Sequence, residues 1–157
     1  MDKQKQARMV SAKLTLDYYR ERLAEPELLK RAVPLDVEAS ASLLAVPAGK
    51  SRRGGDIEFP DRSEAEKTLK LLKGLEGFPN PRIDDEDEDY CLVRWGDPPP
   101  FNGCDYCDPM CAIALGLHYG YKDEAIADLV ERYQRLVRPT GTRDQVVEII
   151  KRSRGSK

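Results

Sequence analysis

The chain has 157 residues, 40% of them hydrophobic and 34% charged, with a net charge of −2. That length suits one ordinary domain with a modest core, and no stretch approaches the ~18 apolar residues that a membrane span needs. The near-neutral balance also excludes a strongly basic nucleic-acid binder, although the charge is unevenly spread. Residues 82–111 set nine Asp and Glu against two Arg, a net −7, while residues 1–35 and 112–157 each carry +3. Basic ends flanking an acidic middle permit contact with nucleic acid at the termini only.

Residues 4–24 lack Gly and Pro, and Met9, Val10, Leu14, Leu16, Tyr18, Tyr19 and Leu23 recur at roughly helical spacing, which predicts a helix. Glu25-Pro26 interrupts it, and Glu27–Ala32 predicts a short second helix before Pro34. Leu43–Val46 is an apolar run too short to assign by period, and 47–55 reads as a loop. Ser63 with Glu66 makes a capping box, with Asp61 as an alternative cap, for a helix over about 62–73. Gly74 and Gly77 end that helix, and the acidic run Asp84–Asp89 reads as solvated. Tyr90–Trp95 is the best strand candidate, closed by Gly96-Asp97-Pro98-Pro99-Pro100.

The last third reads as helical. Asp108 and Pro109 start one helix that runs to about His118, Asp123 caps a second, and Thr142 with Gln145 caps a third. The expected fold is therefore mostly α, a small helical domain with a minor β element and a four-cysteine metal-binding knuckle. Its organisation would be an N-terminal helical region over 1–81, an acidic linker over 82–90, and the knuckle with its following helices over 91–157, packed as one domain.

All four cysteines, Cys91, Cys104, Cys107 and Cys111, fall within 21 positions. A two-residue gap between Cys104 and Cys107 gives a tight turn on which both sulfurs can face one ion. Cys111 would sit in the first turn of a helix, where the partial positive charge favours thiolate, and Cys91 would come in from the strand. Buried thiols or disulfides are the alternative. His118 is too distant to substitute for a cysteine, because seven helical residues rise about 10 Å whereas sulfurs on one zinc lie within about 4 Å of each other. It reads as a packed or surface residue.

Zinc is the expected ion, with an iron–sulfur cluster as the alternative. The group resembles that of the WhiB-like iron–sulfur regulators, in which a distant cysteine joins a clustered three and a basic segment follows. It departs from them in having three residues where that family has five between Cys107 and Cys111, and Gly116-Leu117-His118-Tyr119-Gly120 replaces a Gly- and Trp-containing turn.

Gly49-Lys50-Ser51 has the ending of a phosphate-binding loop but has Leu44 where that motif needs Gly, so it reads as a basic loop. Asp85, Asp87 and Asp89 alternate as in a calcium loop, yet Tyr90 and Gly96 occupy the positions of its turn Gly and closing carboxylate. One histidine and four apparent ligands in a closed site give no expectation of an enzyme or of a small-molecule substrate. Function is therefore expected in binding, by a small zinc-stabilised cytoplasmic regulator with no membrane association.

In one version the final two helices form a helix-turn-helix. Arg143 and Gln145 would then meet bases, while Arg138, Lys151, Arg152 and Arg154 meet phosphates. In the other version the protein is a metal-stabilised adaptor or inhibitor that binds a protein partner and no nucleic acid.

Overall fold

The computed structural model describes residues 2–37, 41–86, 90–100, 109–137 and 143–155. Helix α1 (Lys3–Arg22) opens on Asp2, whose carboxylate accepts the Gln4 N–H at 3.2 Å, and it ends where Leu23 turns extended. Glu25-Pro26 breaks the chain as expected, and Pro26–Arg31 forms a 3₁₀ turn. Helix α2 (Arg62–Leu72) is capped by Asp61, whose carboxylate accepts the Glu64 N–H at 2.9 Å. Asp61 rather than Ser63 therefore holds the orphan amides of its first turn. The last third contains α3 (Pro109–His118), α4 (Asp123–Val137) and α5 (Arg143–Gly155).

The expectation of a mostly α domain with one minor strand is corrected by five strands in two antiparallel sheets. Strands β1 (Val33–Val37) and β2 (Ala41–Ala45) pair from Val33 opposite Ala45 to Val37 opposite Ala41. Strands β3 (Gly54–Phe59), β4 (Arg82–Glu86) and β5 (Cys91–Gly96) form a second sheet in the order β3-β5-β4. Three strands thus lie inside the region expected to be helical, and the start of the expected acidic linker is β4.

Each missed strand has a physical reason. Gly54-Gly55 has the look of a loop, yet a Cβ on Gly55 would stand 2.4 Å from Trp95 Cζ2 and 2.7 Å from Arg52 Nη2, so the glycine is there for close approach. Strand β4 is an edge, and charged edges are ordinary because only one side is paired and carboxylates deter further pairing. Its Asp84 accepts from Arg94 of β5 at 2.7 Å, a cross-strand bond that holds the Asp84 carboxyl below its usual range. The short run Leu43–Val46 gains its strand from β1, whose Pro34 is tolerated because a two-stranded sheet has only edges.

The largest core lies where α2 covers the three-stranded sheet. Ala65 and Leu72 of α2 meet Phe59, Val93, Trp95 and Cys91, all 1% exposed or less. Trp95 is the centre of this layer. Its indole N–H donates to Val46 O at 3.1 Å and its ring tilts against Phe78 at 5.4 Å, so a large apolar surface is buried with its polar end satisfied.

A separate cluster joins the last three helices through Ile113, Ile126, Val130, Val146 and Ile150. Gly116 allows α3 to approach α4, since a Cβ there would be 2.6 Å from Ile126 Cγ1. A third cluster, Leu23, Leu28 and Val46 with Tyr19 and Tyr121 against them, lies at the foot of α1.

Candidate functional site

Of the expected ligand set, Cys91 and Cys111 lie among the described residues. Burial along β5 alternates, so Cys91 shares its face with Val93 and Trp95 and lies in the apolar core at 1% exposure. Cys111, on α3 beside the other core, is in a disulfide, and a disulfide sulfur is not the thiolate that a metal takes. Cys104 and Cys107 lie outside the described residues. Among the described residues no group of three or more His, Cys, Asp or Glu could hold a metal ion. The four-cysteine knuckle in the expected fold is corrected accordingly: strand parity, which nearness in sequence does not reveal, carries Cys91 into the core. His118 is packed, as expected, and 6% exposed.

The C-terminal basic residues are dispersed. Lys151 is exposed, and Arg152 faces Glu148 at 3.4 Å on its own helix. Arg154 donates through Nε to Asp123 at 2.7 Å and through Nη2 to Tyr121 O at 2.9 Å. Arg143 and Gln145 belong to the first turn of α5, with side chains outside the described set, as is Arg138. The Arg154–Asp123 bond brings the last turn of α5 to the first turn of α4.

Sequence reasoning missed Arg52, which reads as part of a basic loop and is 3% exposed. Gly49 and Arg52 bond each other in both directions, at 2.8 and 3.0 Å, so Lys50-Ser51 is the tip of a tight turn and not a phosphate cradle. Lys50, at φ +52°, reaches Glu27 from this tip, and Ser51 donates to Glu25. The turn delivers Arg52 inward. Its Nε donates to Val46 O at 3.3 Å and its Nη1 to Tyr119 O at 2.8 Å, with the Tyr19 and Tyr119 rings 5.8 and 5.7 Å from the guanidinium carbon.

A buried cation is costly unless its donors are satisfied, and here carbonyls and ring faces do that. Tyr119 in turn donates its hydroxyl to Asp56. Burial raises the Tyr19 pKa against the opposing pull of Arg52, and burial followed by Arg52 lowers that of His118.

This seam anchors the C-terminal end of α1. Tyr19 packs over Arg52, while Ala24 N–H donates to Gly120 O at 2.9 Å and Lys122 N–H to Arg22 O at 2.8 Å. Towards the N-terminus the same helix is bare: residues 2–10 are exposed at every position whose side chain is described. Its inward face runs through Thr15, Tyr19 and Leu23, the last 2% exposed. A second face carries Ala7, Val10, Leu14 and Tyr18, at steps of three, four and four, which is the spacing of a helix-docking stripe. Val10 is 55% exposed, Leu14 65% and Tyr18 43%, and Ala7, Val10 and Leu14 line a shallow groove with Lys3. The sequence displayed this periodicity, but only the fold reveals that the stripe lies outside.

Fold and surface together define a small mixed α/β protein that presents a helix anchored at one end. The chain belongs to a family of unknown function, DUF6302, whose model matches residues 10–149. No curated protein and no solved structure matches it. No helix among the described residues is long and apolar enough to cross a membrane.

Proposed function

We infer that this protein is an adaptor that binds a protein partner through α1, with the stripe Ala7-Val10-Leu14-Tyr18 as the docking face. The outward exposure of Val10 and Leu14 on a helix fixed at its other end carries this reading. Such a stripe is the pattern by which an amphipathic helix occupies an apolar groove. Around it, residues 2–14 hold Lys3, Lys5, Arg8 and Lys13 against Asp2. That charge disfavours two copies pairing through α1 and favours an acidic rim on the partner's groove. The nucleic-acid version has less support, because Arg152 and Arg154 are engaged with Glu148 and Asp123. The zinc and iron–sulfur expectations have no part in this proposal.

The test places a photo-crosslinking residue at Val10 in the full-length protein and examines it in its native cell. A discrete adduct with an acidic protein is expected, weakened by salt and lost in Leu14→Asp, with Lys151→Ala leaving it unchanged. An absent adduct, or one indifferent to Leu14→Asp, removes the reading. A dimer by sedimentation whose adduct is a second copy of the chain would make the face a self-interface instead.

A further inference from the structure

Beside the Arg52 turn lies a cleft of about 650 Å³, within the size range of small-ligand pockets, lined by that turn, the segment after β5, α3 and the end of α5. Four chain segments make its walls, and backbone hydrogen bonds hold two of their junctions. Arg53 N–H donates to His118 O at 2.9 Å, joining the turn to the end of α3, and Asp97 N–H donates to Arg53 O at 3.1 Å, joining it to the end of β5. The fourth wall is the last turn of α5, held by Arg154 on Asp123. The site is thus built from fixed elements before any ligand arrives, which lowers the entropic cost of binding.

Its chemistry has two sides. Lys50, Arg53 and Arg154 line it against one carboxylate, Asp97. The carboxylates that hold Lys50 and Arg154, Glu27 and Asp123, lie outside the lining. Arg53 is exposed and its guanidinium has no partner among the described residues. Pro98, Ala114 and Leu117 supply apolar lining. His118 also lines the cleft, in space that exists because residue 54 is glycine: a Cβ there would be 3.2 Å from the imidazole Nε2.

We propose that this cleft binds a small organic oxyanion, a carboxylate or phosphate monoester carrying an apolar ring or short chain, with Arg53 as the principal anchor. The guanidinium gives an oxyanion two parallel donors, a geometry that neither a lone lysine nor a neutral amide provides. The apolar lining requires a body as well as a charge, so an inorganic ion fills only half of the site. This inference uses neither α1 nor its partner and stands or falls separately from the adaptor reading.

Calorimetric titration of the full-length protein with four probes tests it: benzoate, phenyl phosphate, inorganic phosphate and benzyl alcohol. Saturable binding is expected for benzoate, phenyl phosphate or both, and whichever is tighter identifies the head group. Inorganic phosphate should bind more weakly than phenyl phosphate, and benzyl alcohol not at all. Arg53→Ala should weaken the winning probe about tenfold or more, the scale of a lost charge-assisted bond, and Arg53→Lys should restore part of it. Lys151→Ala removes an exposed cation that does not line the cleft and should change nothing. The Arg53 side chain holds no other part of the fold among the described residues, so dichroism and melting should be unaltered in these variants. Failure of every probe at millimolar concentration overturns the proposal, as does binding that Arg53→Ala leaves intact or that benzyl alcohol equals.

Discussion

Helices α1 and α2 are both rich in charge and both carry leucines at helical spacing, yet they use those leucines in opposite ways. Leu72 of α2 is fully buried beneath the sheet, with Ala65 and Thr68 beside it, and Leu71 on the same helix is 55% exposed. On α1, Leu14 is 65% exposed, and the residues that hold the helix are Tyr19 and Leu23 near its end. An apolar period therefore specifies a helix with a sticky face, and the fold around it decides whether that face is structural or presented.

The contrast can be broken most forcefully at α2. Leu72→Ala should lower stability by about 2–5 kcal/mol, the range for a fully buried leucine whose site cannot collapse. Chemical denaturation gives the value, and a loss below about 1 kcal/mol would mean that α2 does not close this core.

Arg52→Ala attacks the anchorage of α1. It takes the guanidinium donor from the Tyr119 carbonyl and leaves Val46 O with the Trp95 indole alone, and should destabilise by about 1–3 kcal/mol. Hydrogen exchange should then increase first around Tyr19–Ala24 and Gly120–Lys122, and uniform loss of protection would argue against a local clamp.

A smaller effect is expected at His118. Burial first, and the Arg52 guanidinium second, hold its imidazole below the ordinary value of about 6.5. Protonation therefore opposes folding: the His118 contribution is complete above the unfolded-state value and is lost as pH falls through the depressed folded one. Melting temperatures of wild type and His118→Gln between pH 7.5 and 5 should converge on the acid side. A constant gap would assign the effect of the substitution to packing alone.

The smallest expected change sharpens the comparison. Leu14→Ala should alter stability by no more than about 0.5 kcal/mol, as for surface positions generally. If it proves as destabilising as Leu72→Ala, the outer stripe of α1 is structural and the adaptor reading loses its observation.

The sequence by itself determined the helices, because their signals are local. Asp61 before Arg62, Pro109 at a helix start and the 3.6-residue spacing over 4–24 and 123–137 are all decided within a few positions of the chain. Strands β3 and β4 could not be read in the same way. Gly54-Gly55 makes sense only once Trp95, far along the chain, lies against it, and the acidic β4 only as an edge of β5.

The functional surface divides along the same line. Val10, Leu14 and Tyr18 were visible as a period, while their exposure depended on which face of α1 the packing around Tyr19, Leu23 and Arg52 had claimed. Among the described cysteines, pleat parity sent Cys91 to the α2 core and Cys111 is in a disulfide, neither of which closeness in sequence reveals. Arg52 and the cleft beside it left no trace in spacing or composition, since an arginine in a Gly- and Lys-containing loop is ordinarily solvated. It is buried because a two-residue turn aims it between Tyr19 of α1 and Tyr119 just after α3, residues far apart in the chain.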